Sequence, residues 1–507
     1  MDEHLLEELD LARGALSRRS MLKGLGALAA GAALSACASS TSKSSGPTTT
    51  ARRGTGSTSS PSTSFGTPTT TPGPPRGPGS LPNPALPEGT DTLPQIEHIV
   101  VMMMENHSYD DHFGMLTRAD GFKLGTDGLP LDANPYNGKL LKAFHMPSSC
   151  QLHSHPGQNW DASHTSYDKG RNDGFVEASG PVAMGYWDRT DIPFYYGLGE
   201  TFPVCDRYFC SVLAQTYPNR RFLIAGTAAG IISTSTDALL APPPPHGTIF
   251  ERLNAHGITW RNYYNDLPGT AVIPSVYTQN TKNFVKGTSH FITDAAAGNL
   301  PSFCMVDPNF SHQSEEDPQD IRVGEQFAAG IINAVLQGPA WDKTLLIWTY
   351  DEHGGYYDHV PPPLAIKPDN IPPDIHVPPD LPAAYNQYGF RVPAVIVSPY
   401  ARRDYVSHVV HDHTSILKLI ETKWNLPALT YRDANADNLL DSLDLKSAPA
   451  FRDPPKLPDP GLPASANTMA LAAQHDACTE GDPRGPIPPA DAVVPLSEAS
   501  KLRIGAT

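Results

Sequence analysis

The stretch that decides the fold is "VVMMMENHSY", residues 100 to 109. Five apolar residues stop at an acid, an amide and a histidine, with no Gly or Pro to turn the chain. A run that short and that continuous has the pattern of a strand buried on both faces. Either its end merges into a solvated loop, or it holds polar ligands at the rim of a sheet. Ile99 to Met104 is the first of three such runs; the others are Thr344 to Thr349, "TLLIWT", and Val392 to Val397, "VPAVIV". Helical spacing of apolar residues occurs in Gly324 to Leu336 and in His413 to Trp424. The alternation predicts an α/β fold, a central and largely parallel sheet with helices on both faces. In such sheets ligands gather beyond the carboxyl ends of the strands. The first run delivers Glu105, Asn106 and His107 there, the second Tyr350-Asp351-Glu352-His353-Gly354-Gly355, and the third Ser398-Pro399-Tyr400.

Adjacent carboxylates at a strand end repel one another and are costly to hold together without a cation between them. Asp351 and Glu352, with Glu105 and the amide oxygen of Asn106, form a hard, oxygen-rich set suited to one divalent ion of the Ca, Mg or Mn class. The plainer reading is a solvated acidic rim. "AQTYPNRRFLIAGTAAG", residues 214 to 230, offers a nucleophile. Pro218 suits the first turn of a helix, which puts Thr216 beside the N-cap. A hydroxyl there lies in the positive field that binds phosphate groups, and metal coordination would activate it. An ordinary capping role is the alternative. Histidines cluster in loops: His153, His155 and His164 in "LHSHPGQNWDASH", His359 in "YYDHVPPP", and His411 and His413 around Asp412. Several near one site would bind phosphoryl oxygens and protonate a leaving group. Asp412 either caps the following helix or joins that site.

The first 37 residues read as a processing segment. Arg18-Arg19 before the Gly/Ala-rich run from Gly24 to Ala36 predicts twin-arginine export, and the run is too short to span a bilayer. It ends in Leu34-Ser35-Ala36-Cys37, which resembles a lipobox, so Cys37 is expected to carry lipid and anchor the chain to a membrane; plain cleavage is the alternative. Residues 38–95, rich in Ser, Thr, Pro and Gly, are expected to form a flexible tether. Residues 96–450 form the expected catalytic domain, and residues 451–507 a Pro-rich C-terminal extension. The expected location is the cell surface or envelope, with release to the medium as an alternative. A formal net charge of −16 excludes a nucleic-acid partner and simple adhesion to anionic lipid. Beyond Cys37 lie Cys150, Cys205, Cys210, Cys304 and Cys478, with no metal-like spacing. One or two disulfides are expected, and Cys205 and Cys210 are close enough for a small loop. Nothing in the sequence sets the oligomeric state.

With these residues in view, the chain resembles the bacterial phosphoesterase family that includes the phosphatidylcholine-type phospholipases C of mycobacteria and pseudomonads and related metal-dependent acid phosphatases. The matching segments are "IEHIVVMMMENHSYDDHFG", "GRNDGFV", "QTYPNRRFLIAGT", "VGEQF", "TYDEHGGYYDHVPPP", "YGFRVPAVIVSPYARR" and "HDHTSILKLIETKWNLPALTYRDANADNLLDSLDL", in family order from about residue 96 to 445. The resemblance implies a fold like that of alkaline phosphatases and sulfatases. It implies a metal held by Glu105, Asn106, Asp351, Glu352 and Thr216. It makes Thr216 the nucleophile of a phosphothreonine intermediate, and His164, His359 and His413 the catalytic histidines. Asn219 belongs to the substrate-binding set that it implies. Two departures stand out. His107 replaces the usual arginine after the Glu-Asn pair and is expected to orient substrate. "SHQSEEDPQD" carries Glu316 and Asp317 before Pro318 where relatives have a histidine beside an acid, and His312 is the expected substitute. The expected substrate is a phospholipid or related phosphate ester; a broad acid phosphatase acting on monoesters, or a surface-binding lipoprotein with a degenerate site, are the alternatives. The aromatic stretch "GYWDRTDIPFYYGLGE", residues 185 to 200, either packs the core or cages a choline cation.

Overall fold

In a computed structural model, residues 75–150, 156–376, 379–462 and 486–506 are described. Residues 1–37 with Cys37, most of the expected tether, His153, His155 and Cys478 lie outside them. His98–Met104 forms strand β1, and every side chain from Ile99 to Met104 is fully buried. Each such side chain contributes roughly 1.5–3 kcal/mol over exposure, enough to offset the ordering entropy of a strand. β1 lies inside an eight-stranded sheet. The other strands are β2 (Val204–Cys205), β3 (Trp260–Tyr264), β4 (Phe284–Lys286), β5 (Phe303–Val306), β6 (Thr344–Tyr350), β7 (Ala394–Val397) and β8 (Val406–Ser407). Their order is β8-β2-β7-β6-β1-β5-β3-β4. β1 and β6 run parallel in register from His98↔Thr344 to Met104↔Tyr350, so Glu105 and Asp351 leave the sheet at one level.

β7 departs from the expected direction. It is antiparallel to both β6 and β2, with Thr349 opposite Ala394 and Leu346 opposite Val397. Its start, preceded by Arg391, therefore lies at the rim where β1 and β6 end, and Ser398-Pro399-Tyr400 emerges at the opposite rim. A strand buried on both faces carries the same apolar pattern in either direction, so direction is not legible in the run itself.

Five helices position the chemistry: α1 (Tyr109–Phe113), α2 (Trp160–Tyr167), α3 (Thr216–Ala225), α4 (Ile321–Gln337) and α5 (His413–Trp424). α5 has the predicted bounds. Asp412 is its N-cap, in a capping box with Ser415, and also accepts a hydrogen bond from Ser211 Oγ at 2.8 Å. α4 begins three residues before its apolar repeat, where the Asp320 side chain accepts the Arg322 N–H. The α/β class, with a largely parallel sheet covered on both faces, is as predicted.

The segment boundaries are redrawn. Residues 75–95 are docked against the end of α5 and the turn after it. Gly79 N–H donates to Ala428 C=O at 2.7 Å and Thr92 N–H to Lys423 C=O at 2.7 Å. The Asn425 amide bonds to the backbone of Asn83, Leu86 and Pro87. Backbone groups, the Asn425 amide, the Lys423–Asp91 ion pair and the buried side chain of Leu93 make much of this contact, which a composition poor in apolar side chains conceals. The C-terminal extension also packs on the body. Val493–Val494 and Arg503–Ile504 are the outer strands of a four-stranded sheet around Asp132–Tyr136 and Lys139–Lys142. Phe451 and Leu457 are buried. Cys150 is disulfide-bonded, whereas Cys205, Cys210 and Cys304 are buried thiols, so Cys205 and Cys210 do not close a loop. Tyr186, Trp187, Phe194, Tyr195 and Tyr196 are at most 3% exposed, so the aromatic stretch packs the core and forms no choline cage.

The docking of residues 75–95 has a measurable consequence. A chain starting at residue 96 should melt below one starting at residue 75 by at least ~3 °C in a thermal scan; equal midpoints would show that the segment contributes nothing.

Candidate active site

Asn106 is the first residue beyond the strand to break its geometry. Its φ of 69° lies in the left-handed region, where Asn is among the few tolerated non-glycine residues. That turn aims its N–H at Asp351 Oδ1, 3.2 Å away; the same oxygen accepts the Glu352 N–H at 2.8 Å. Thr216 Oγ1 donates to Asn106 Oδ1 at 3.5 Å. Thr216 is the first residue of α3 and Gln215 is the N-cap, one residue earlier than the position of Pro218 suggests. The nucleophile candidate therefore sits at a helix N-terminus, as expected, with the Glu-Asn pair beside it.

Two residues missed in the sequence complete this rim. Arg220, one helical turn after Thr216 on the same face of α3, donates through Nε to Asp351 Oδ2 at 3.0 Å and through Nη2 to Met104 C=O at 3.2 Å. It also lies 3.8 Å from Glu105 and 3.9 Å from Asp307. Asp307 follows β5 as Glu105 follows β1, and its Oδ2 accepts from Asn262 and Gly269 at 2.6 and 2.8 Å. The spacing Thr216 to Arg220 and the carboxyl-edge rule applied to "FCMV" are the signals that find them.

Three buried carboxylates thus face one guanidinium, and Glu352 adds a fourth beside Asp351. Burial, reinforced by Asp351 and Glu105, holds the Glu352 carboxyl well above the usual range. Glu352 Oε2 accepts the Gly354 N–H at 2.8 Å, while Oε1 is buried without a hydrogen bond. Excess negative charge, an unsatisfied carboxylate oxygen and hard donors fit a divalent ion by chemistry. Among the described residues, however, the groupings within 4.8 Å are His107/Asp111/His112, Asp110/Asp358/His359, His145/Asp188/Asp191 and His411/Asp437/Asp441; none contains Glu105, Asp351 or Glu352. In this conformation Arg220 bridges the rim.

Several expected site residues have other duties. His413 places Nε2 2.7 Å from Asp351 C=O and Nδ1 3.3 Å from Tyr208 OH, and burial lowers its pKa. It positions the Asp351 backbone and has no ring nitrogen left for substrate. His359 is likewise occupied, with Nδ1 2.7 Å from Asp110 and Nε2 3.3 Å from Asp120. Burial opposes its charge, but Asp110 outweighs burial and raises the pKa. Arg391 joins this network through Asp110 and Asp358, both at 3.0 Å. Asn219 uses its whole amide on the loop before α3, accepting from Ser211 and Val212 and donating to Ala214 C=O at 2.8 Å, so in this conformation it shapes the approach to Thr216. His107 is fully buried, with Nδ1 2.6 Å from Asp111 and Nε2 3.0 Å from Glu315 C=O, which removes the expected substrate-orienting role. His164 keeps more freedom. Its Nδ1 donates to Trp160 C=O at 2.7 Å, which leaves Nε2 as the lone-pair nitrogen, and burial lowers its pKa. His312 is half-buried in a turn closed by its N–H to Asn309 C=O. Asp317, in the segment that departs from the family pattern, is buried against Tyr356 OH at 2.9 Å.

Behind the rim lies a second buried network. His112 bridges Asp111 and Glu315, each at 3.1 Å. Glu315 also accepts from Tyr350 OH at 2.5 Å and Tyr195 OH at 2.6 Å. Burial disfavours the imidazolium, but Asp111 and then Glu315 outweigh it and push the His112 pKa up to about 9.

Comparison with known proteins follows this geometry. The model of the Phosphoesterase family matches residues 96–427. Phospholipase C B of Mycobacterium tuberculosis is 31% identical over 435 residues, covering 73% of this chain and 82% of the relative. Non-specific phospholipase C1 of Arabidopsis thaliana is 30% identical over 403 residues, covering 72% and 74%. Non-hemolytic phospholipase C of Pseudomonas aeruginosa is 28% identical, covering 80% of this chain and 64% of the relative. Among solved structures, an alkaline phosphatase superfamily protein of Vibrio parahaemolyticus covers 65% of this chain and 78% of its own at 13% identity; a TM-score of 0.31 makes that likeness too loose to carry an argument.

Two measurements probe the site's framework. Gly354 has φ 66°, and a Cβ there would stand 1.8 Å from Asn106 C=O. Gly354→Ala should therefore cost at least ~2 kcal/mol in urea unfolding; a neutral change would show that the contact is slack. His112 has a folded pKa above its ordinary value of 6.5, so its contribution is complete below pH 6.5 and is lost as pH rises through about 9. A decline on the order of 3 kcal/mol is expected over that window, and it should be absent in His112→Asn. The same slope in both proteins would remove His112 as its source.

Proposed function

Since the chain belongs to the phosphoesterase family, whose members hydrolyse phosphoric ester bonds, we propose that it is a phospholipase C-type enzyme that cleaves phospholipids or related phosphodiesters through a phosphothreonine intermediate. The observation that carries this reading is Thr216 Oγ1 at the start of a ten-residue helix, 3.5 Å from Asn106 Oδ1 on the acidic rim. In-line attack forms the Thr216 oxygen–phosphorus bond as the bond to the alcohol, diacylglycerol in a phospholipid, breaks. Water then hydrolyses the phosphothreonine and restores the hydroxyl.

This chain's residues divide the work. Asn106 orients the Thr216 hydroxyl, and the N-terminus of α3 favours the negative charge of the phosphoryl group. Arg220 and His413 hold Asp351 in place. Glu105, Asn106, Asp351, Glu352 and Thr216 are the proposed ligands of one divalent ion of the Ca, Mg or Mn class, which when bound would supply Lewis-acid stabilisation and a lowered hydroxyl pKa. His164, neutral because burial lowers its pKa, is the proposed proton acceptor through Nε2. The proposal extends to export by the twin-arginine route and lipid anchoring at Cys37, which would set the catalytic body at a membrane surface.

The deciding experiment compares phosphatidylcholine, a chromogenic phosphodiester and a monoester, with and without chelator. Thr216→Ala should lose hydrolysis on the order of 10³-fold or more, and acid quenching should trap labelled phosphothreonine only in the parent protein. Undiminished hydrolysis by Thr216→Ala would overturn the nucleophile assignment. A preference for the monoester would replace the phospholipase reading with an acid phosphatase, and inertness toward all three substrates after metal addition would end the enzyme reading.

A further inference from the structure

Away from the rim, the turn between β8 and α5 meets the loop of residues 435–442. There Asp441 Oδ2 accepts hydrogen bonds from Ser407 Oγ and from Tyr405 OH, the latter at 3.1 Å. The Ser407 hydroxyl proton is thereby committed, so its 3.1 Å contact with His411 Nε2 requires Nε2–H to be the donor. A neutral ring protonated at Nε2 presents a lone pair at Nδ1. That nitrogen is buried, makes no hydrogen bond, and faces Asp437 Oδ1 at 3.5 Å. On the ring's other side Asp441 Oδ1, also without a hydrogen-bond donor, stands 3.4 Å from Nε2.

Lone pairs and carboxylate oxygens in this arrangement repel unless a cation lies among them. A proton is one candidate. Elsewhere in this chain a histidine paired with a carboxylate closes to 2.6 Å, His107 to Asp111, or 2.7 Å, His359 to Asp110, the length of charge-assisted bonds. The two separations at His411 are longer. The Nδ1–Asp437 separation matches the spacing of two ligands about 2.1 Å from one ion at a tetrahedral angle, roughly 3.4 Å, whereas Nε2 is spent on Ser407 and is no ligand. One ring nitrogen and one oxygen each of Asp437 and Asp441 lie within 4.8 Å of one another. His411 is fully buried, while Asp437 is 40% exposed and gives the site an opening to solvent.

We propose that His411, Asp437 and Asp441 form a second divalent-cation site, separate from the phosphoesterase rim and suited to zinc or manganese by its one nitrogen and two carboxylates. His411 binds through Nδ1, and its Nε2–H is oriented by Ser407 as metal-bound histidines commonly are by a neighbouring acceptor. The two carboxylates neutralise a divalent charge. The ion ties loop 435–442 to the turn that starts α5, two residues before His413 reaches the Asp351 carbonyl.

The test is zinc stoichiometry of the full chain by equilibrium dialysis and elemental analysis. A Glu105→Gln, Glu352→Gln double variant removes the proposed catalytic ligands and should retain one equivalent. Adding Asp437→Asn to it should abolish that equivalent, with the circular dichroism spectrum unchanged; His411→Gln should do the same. No zinc in the double variant, or an equivalent that survives Asp437→Asn, would overturn the site and leave a protonated His411 between two carboxylates. The catalytic metal is read separately, as the chelator sensitivity of phosphodiester hydrolysis by the parent chain and by Asp437→Asn alone, so either site can fail without the other.

Discussion

Everything at the rim depends on the in-register parallel pairing of β1 with β6. Because Met104 lies opposite Tyr350, the chain leaves both strands at the same height, and Glu105 and Asn106 arrive beside Asp351 and Glu352 without any loop having to carry them there. The apolar residues of both strands are buried completely, and that burial holds the polar residues beyond them in conformations they would not adopt alone. Asn106 in the left-handed region and Gly354 pressed against the Asn106 carbonyl are the local cost. A slip of one residue would turn the side chains of one strand to the opposite face and separate the acid pairs.

Charge explains the second layer. Glu105, Asp307, Asp351 and Glu352 crowd one rim, and Arg220 is the cation that touches three of them. Arg220 also donates to the Met104 carbonyl, so the residue that neutralises the rim also closes the end of β1. The histidines that sequence reasoning assigns to chemistry are mostly part of the support. His107, His359 and His413 each have both ring nitrogens occupied by partners inside the protein. A histidine motif records that an imidazole is needed. It does not record whether the ring faces substrate or a neighbouring backbone.

Composition misleads at both ends of the body for a related reason. The Pro- and Gly-rich residues 75–95 and the C-terminal extension have few large apolar side chains, the usual mark of a tether. Besides a few buried side chains such as Leu93, Phe451 and Leu457, they dock through backbone hydrogen bonds, the Asn425 amide, edge-strand pairing and the Arg503–Asp132 ion pair, which do not depend on apolar content. The extension even supplies an arginine whose partner, Asp132, lies on the strand that Arg503–Ile504 flanks.

The amino-acid sequence alone determined the α/β class, the strand that carries Glu105 and Asn106, the strand that carries Asp351 and Glu352, and the placing of Thr216 at a helix start. Each of these is a local matter of apolar run length, turn chemistry or helix-start preference, read within about ten residues. Tertiary structure alone decided that β7 runs antiparallel and brings Arg391 to the rim in place of Ser398, that Arg220 bridges the carboxylates, that Asn219 is spent on its own loop, and that most of the histidines look inward. Those outcomes depend on which distant groups meet a side chain and on the direction in which a buried strand is threaded. Neither leaves a mark on the run of residues concerned, because apolar burial is indifferent to direction and a hydrogen-bonding side chain reads the same whether its partner is substrate or backbone.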